Sequence, residues 1–221
     1  MKNLIKIIKN PKFKISLSIF ILFFIYTSIC AISYSQNIYS NISNSIFRIH
    51  VIANSNSVED QNLKYLIRDD LIKYMNTLTK DTKTKEEAIQ IAQNNINIFN
   101  KIANQTIQNN NYSYSAKVNI GTFDFPTKDY GDISLPAGTY DALRVEIGKA
   151  KGENWWCVMF PPLCFIDATT GIVPEASKQI MEESLTNEEY VLISKDTNKQ
   201  TKFKFKLIEF FNKTGLITAK K

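Results

Sequence analysis

The sequence predicts an α+β domain, an antiparallel sheet with helices packed on one face, preceded by an N-terminal transmembrane or signal helix. Three observations predict this class. A lysine-rich start runs into 18 uncharged residues, 15–32. An alternating strand pattern is then followed by two long stretches of helical periodicity. The second half returns to period two before a last short helical pattern, giving the order β-α-α-β-β-β-α.

Residues 1–14, MKNLIKIIKNPKFK, hold five lysines and no acid. They read as a basic n-region that stays on the cytoplasmic side. Residues 15–33 read as a signal peptide or a transmembrane anchor. At ~1.5 Å per residue the apolar run just reaches a hydrocarbon core of roughly 30 Å. Small residues at Ala31 and Ser33, or at Ser28 and Cys30, offer cleavage sites. The length of the run suits an uncleaved anchor equally well. Residues 34–45, YSQNIYSNISNS, are polar, lack a sustained period and read as a linker. Residues 46–221 form one extracytoplasmic domain, with no Pro/Gly-rich stretch to divide it.

The formal net charge is +6. Removing the n-region lysines leaves 22 basic residues against 21 acidic ones, so the exported part is close to neutral. No basic stripe remains, and a nucleic-acid partner is not expected.

The strand IFRIHVIA (46–53) places Phe47, Ile49, Val51 and Ala53 on one face and Arg48, His50, Ile52 and Asn54 on the other. Ser57, with the Asp60 carboxylate three residues on, opens a helix whose stripe is Leu63, Ile67, Leu71, Tyr74 and Leu78. Thr84 with Glu87 opens a second helix, striped by Ala88, Ile91, Ala92, Ile96, Phe99, Ala103 and Ile107. The polar run 109–111 ends it. Tyr112, Tyr114, Ala116, Val118 and Ile120 share one strand face. Leu143, Val145 and Ile147 alternate with Arg144 and Glu146. Residues 148–153 read as a hairpin loop and 155–160 as its return strand. Pro161 and Pro162 then break the ladder. Residues 175–185 read as a helix, and 202–212 as a short strand passing into a terminal helix.

Enzyme signatures are few. There is no GxSxG, GxxxxGK[ST] or HExxH. The single histidine, and the absence of CxxC or HxxxH spacing, give no metal set. No cofactor and no small-molecule substrate are expected. His50, with Arg48, Asn54, Asp60, Arg68 and Asp69, forms a candidate polar cluster. With a reduced Cys157 it would make a nucleophilic dyad, the site of the alternative reading, an envelope-acting hydrolase. Against that, Cys157 and Cys164 can pair as a disulfide outside the cytoplasm, or remain buried thiols. The segment NWWCVMFPPLCF is dense in aromatics and prolines. Alternation turns Trp155 and Trp156 to opposite faces, so one of them is offered to a partner. Trp155, Trp156, Arg144 and Glu146 are the candidate contact residues.

FRIHVIANSNSVEDQNLKYLIRDDL (47–71) and LPAGTYDALRVEIGKAKGENWWCVMFPPLCF (135–165) resemble the stage II sporulation protein R family in sequence, order and spacing. The resemblance implies an exported signal made in the forespore of an endospore-forming bacterium and acting in the space between two membranes. It implies one partner, a membrane-embedded protease of the mother cell that processes the pro-sigma-E precursor. It assigns no catalytic residue. It also implies a glycine where Ala150 stands.

Overall fold

The computed structural model describes residues 10–164 and 173–194. Helix α1 spans Pro11–Asn44. Asn10 caps it by accepting from the Lys12 N–H at 3.0 Å, and Pro11 supplies a preset first turn. By length and composition α1 can cross a membrane. Its apolar side chains, Phe20, Phe23 and Phe24 among them, are exposed from the protein and need lipid or a partner.

The helix does not stop at the apolar run. Residues 34–44, read from sequence as part of a linker, are its last turns. The reason is packing: Ile42 is fully buried, and Ile38 and Tyr39 lie against the core. A few apolar positions among polar ones, without the length to show a period, suffice once a sheet is there to receive them.

The four-stranded sheet has the order β2-β5-β1-β6. Its strands are β1 (Phe47–Ile52), β2 (Ala116–Phe125), β5 (Gly138–Ile147) and β6 (Asn154–Phe160). A two-stranded hairpin, β3 (Lys128–Tyr130) with β4 (Ile133–Leu135), lies between β2 and β5 in the chain. Two sequence expectations change here. The pair β1–β5 is parallel, within an otherwise antiparallel sheet. The segment 148–153 is not a hairpin loop, because β1 lies between β5 and β6. The loop instead arches over the end of β1, donating Gly152 N–H to Ala53 O (2.9 Å) and Lys149 N–H to Asn54 Oδ1 (2.9 Å). Gly152 is required there, since a Cβ would stand 2.2 Å from the Ser55 carbonyl oxygen.

On one face of the sheet lie α2 (Val58–Leu78), α3 (Lys85–Asn94) and α4 (Ile96–Asn109). Leu63, Ile67, Leu71, Phe99, Ala103 and Ile107 bury themselves with Ile49, Val51, Val118, Leu143, Val145 and Ile147. Ser57 and Thr84 cap α2 and α3 through the Asp60 and Glu87 N–H groups. The long second helical pattern is two helices broken at Asn95. There the Asn95 amide donates to Ile91 O (2.9 Å) while its Oδ1 accepts from Tyr74 (3.0 Å).

Helix α4 also closes the sheet's β2 edge. Asn100 exchanges two hydrogen bonds with the Val118 backbone, and Asn104 two with that of Ala116. Side-chain amides thus replace a missing strand and blunt the edge against foreign pairing.

The last turns of α1 cover the start of β5. Tyr39 packs edge-on to Tyr140 and donates to Thr139 O at 3.0 Å. Helix α5 (Glu175–Ser184) is tied to the loop after β3 by Lys178–Asp132 at 2.6 Å. Helix α6 (Asn187–Ile193) receives α1 through Tyr34 to Glu188 (3.0 Å) and Asn41 to Glu189 (2.7 Å). The expected element at 202–212 lies outside the described residues.

Candidate functional site

The sheet face turned away from α2–α4 carries the alternate residues of all four strands. Register arranges them in rows. Trp156, His50, Arg144 and Asn119 form one row across β6, β1, β5 and β2. Asn154, Ile52, Glu146 and Lys117 form the next. Below them Val158, Arg48, Ala142 and Gly121 make a third, with two small residues in β5 and β2. That space is taken by aromatic rings from the lower strand ends, Phe123 and Phe125. Among the described residues no helix lies over the upper rows: Lys117 and Asn154 are exposed, and Asn119, Arg144, Glu146 and Trp156 are half-buried.

Arg48 is the floor of this region and is fully buried. Its guanidinium carbon lies 4.1 Å from the Phe125 ring centre, 4.7 Å from that of Tyr140 and 5.7 Å from that of Tyr130. It donates to Tyr130 Oη and, at 3.4 Å, to Cys157 O. Each desolvated cation–π contact contributes on the order of 2 kcal/mol, which offsets a charge that has no carboxylate on it among the described residues. Burial pushes the Tyr130 and Tyr140 hydroxyls above their ordinary range, so both stay protonated.

His50 stacks on Trp156 with ring centres 3.6 Å apart and planes 18° from parallel. Phe125 closes its edge at 5.9 Å, and Nε2 meets Asn154 Oδ1 at 2.8 Å. Burial lowers its pKa to about 4, against the Asn154 bond, and Arg144 and Arg48 lower it further. His50 is therefore neutral at pH 7. Arg144 pairs with Glu146 at 2.9 Å and lies over the Phe123 ring at 5.0 Å.

The predicted polar cluster is not one cluster. Arg48 and His50 belong to this face. Asn54 and Asp60 stand at the end of β1, where Asp60 accepts from Asn54 (2.8 Å), Ser55 (2.5 Å) and Tyr114 and so fixes the turn into α2. Arg68 and Asp69 lie outside on α2 and pair with each other at 2.6 Å. Helical and strand periods carry residues that are close in sequence to three separate places.

The four candidate contact residues also divide. Trp156, Arg144 and Glu146 lie on the open face. Trp155 lies on the helix-bearing side, its ring 4.8 Å from the Arg68 guanidinium. The His50/Cys157 dyad does not form. Cys157 stands opposite Ile49, on the other face of the sheet, and is joined to Cys164 in a disulfide with Cα atoms 5.8 Å apart. Asn119, Phe123, Phe125, Tyr130, Tyr140 and Asn154 were not foreseen. Strand order, and for Tyr130 the docking of the β3–β4 hairpin, brings them to this face, and no local pattern reports either.

Among the described residues, no group of three His, Cys, Asp or Glu side chains is placed to hold a metal. Among the described residues, the face offers aromatic surface, one ion pair and buried nitrogens.

The family model for stage II sporulation protein R matches residues 43–170, from the last turn of α1 past β6. Stage II sporulation protein R of Bacillus subtilis (strain 168) is 34% identical over 183 residues, covering 77% of this chain and 82% of that protein. No solved structure matches. With the family model covering more than half the chain, and the order β1, β5, β6 contained within it, the chain belongs to the stage II sporulation protein R family.

Proposed function

We propose that this protein is an exported sporulation signal. It leaves the forespore through its N-terminal segment and activates a membrane-embedded protease of the mother cell by direct contact. That protease then processes the pro-sigma-E precursor. The observation that carries the contact reading is the open sheet face, where Trp156 is held rigid by His50 beside the Arg144–Glu146 pair. A rigid aromatic loses little entropy on binding and makes an efficient anchor.

Activation by contact requires the face to fit the active protease better than the inactive one. Shifting a partner from 1:99 to 99:1 needs ~5.5 kcal/mol of differential affinity. One well-seated tryptophan and a desolvated ion pair reach that order. Trp156→Ala is expected to leave export intact and to abolish precursor cleavage in sporulating cells. Trp155→Ala, on the helix-bearing side, provides the matched comparison. Normal cleavage with Trp156→Ala removes this face from the account.

A further inference from the structure

Among the described residues, three nitrogens on the open face lack a hydrogen-bond partner: Arg48 Nη1, His50 Nδ1 and Arg144 Nε. All three are buried as atoms, and the residues Arg48 and His50 are at least nine-tenths buried. His50 and Arg144 stand side by side in one row, in register across β1 and β5, with Arg48 directly beneath His50 on the same strand. A buried polar atom left unmade is costly; with Nε2–H of the neutral His50 donating to Asn154 Oδ1, its Nδ1 is an acceptor, so two arginine donors and this lone pair together mark a surface completed by something else.

We infer that the row Trp156–His50–Arg144–Asn119 receives an acidic side chain, Asp or Glu, of the partner protein, its carboxylate seated between Arg144 and His50. The inference rests on the contact reading above and names what that contact recognises.

Charge selects this occupant. Among the described residues, the ionised groups facing the row are Arg48 and Arg144, with Lys117 at its rim and Glu146 as the one acid, paired to Arg144 at 2.9 Å. Tyr130 and Tyr140 contribute neutral hydroxyls. The face therefore carries positive charge beyond what Glu146 offsets, inside a setting of rings where little water screens it. An apolar partner group would leave Arg144 Nε and His50 Nδ1 unmade, and a basic one would add repulsion. A carboxylate accepts from Arg144 Nε, and its charge draws a solvent proton onto His50 Nδ1, which is a bare acceptor in the neutral ring and donates only once protonated; charge-assisted bonds of this kind are the stronger class. The chain's own residues 195–221 are lysine-rich and carry few acids, which disfavours them as the occupant.

The test uses the full chain in sporulating cells, with precursor cleavage and partner capture by cross-linking as readouts. The variants are Arg144→Gln, Arg144→Lys and the swap Arg144→Glu/Glu146→Arg, which retains the internal pair with its polarity reversed. Arg144→Gln is expected to weaken capture roughly tenfold or more, the effect of losing one charge-assisted bond. Arg144→Lys should keep part of it. The swap should abolish capture, and replacing one Asp or Glu of the partner by Lys should restore it. If Arg144→Gln and the swap signal as wild type while Trp156→Ala fails, the face still docks but the carboxylate inference falls. If Trp156→Ala also signals normally, both fall. Restoration of the swap only by changes at non-acidic partner positions likewise overturns the inference.

Discussion

His50 offers a quantitative check on how the open face is built. Its pKa stands at about 4 in the folded protein against an ordinary 6.5, with burial as the first cause and the two arginines adding to it. The folded-state value is the lower one, so between these limits the unfolded chain binds more protons than the native one. Stability then rises with pH through this window. The contribution is fully present above pH 6.5 and is lost as pH falls toward 4. The gap corresponds to at most roughly 3 kcal/mol. The assay is urea unfolding of the exported domain at pH 7, 6, 5 and 4, followed by tryptophan fluorescence, for the native sequence and for His50→Gln. Carboxylates titrate in both and cancel in the difference. His50→Gln loses the Trp156 stack and is less stable at pH 7, but the gap between the two proteins should narrow steadily toward pH 4. A gap that stays constant across the window, or a His50 ring that titrates near 6.5 by NMR, would refute the description of a neutral, ring-enclosed histidine between two cations.

Two further predictions concern the frame. Ala150 adopts φ 49°, a left-handed conformation that penalises any residue with a Cβ, and the family resemblance implies glycine there. Ala150→Gly should stabilise the domain by about 1 kcal/mol in chemical denaturation, and a destabilisation would contradict this turn. Asn100→Ala and Asn104→Ala each remove two bonds to the β2 edge. Each should cost about 1 kcal/mol, and the double variant should self-associate, as measured by light scattering; a monodisperse double variant would argue against the edge-capping role.

Much of the fold was legible locally. The alternation of 46–53, the caps at Ser57 and Thr84 and the stripes of α2–α4 are signals carried within a few residues of each other. What sequence could not supply was adjacency. The insertion of β1 between β5 and β6 turns an expected hairpin into a crossover, and in 148–153 it is marked by Gly148 and Gly152, whose lack of a side chain makes room for Asn54 and the Ser55 carbonyl. Likewise Tyr39 looks like an isolated apolar residue in a polar stretch until Gly138 and Tyr140 are beside it. A Cβ on Gly138 would lie 1.8 Å from Tyr39 Oη, so this contact depends on two residues a hundred positions apart.

The candidate site divides on the same line. Strand parity alone separated Trp155 from Trp156 and grouped Arg48 with His50. The rows that set His50 between Trp156 and Arg144 needed the strand order. Asp60, Arg68 and Asp69 were drawn into the cluster by closeness in sequence, and the helical period carries them elsewhere.

The central claim is activation of the protease by direct contact, and purified components test it. Because Ile38, Tyr39 and Ile42 belong to the packed domain, the soluble form must keep the last turns of α1 and begin at Tyr34. It is added to vesicles holding the mother-cell protease and the sigma-factor precursor, and cleavage is followed with time. The account predicts that the domain alone switches cleavage on, that it does so saturably, and that Trp156→Ala does not. A properly folded domain that leaves the precursor intact under these conditions would contradict it.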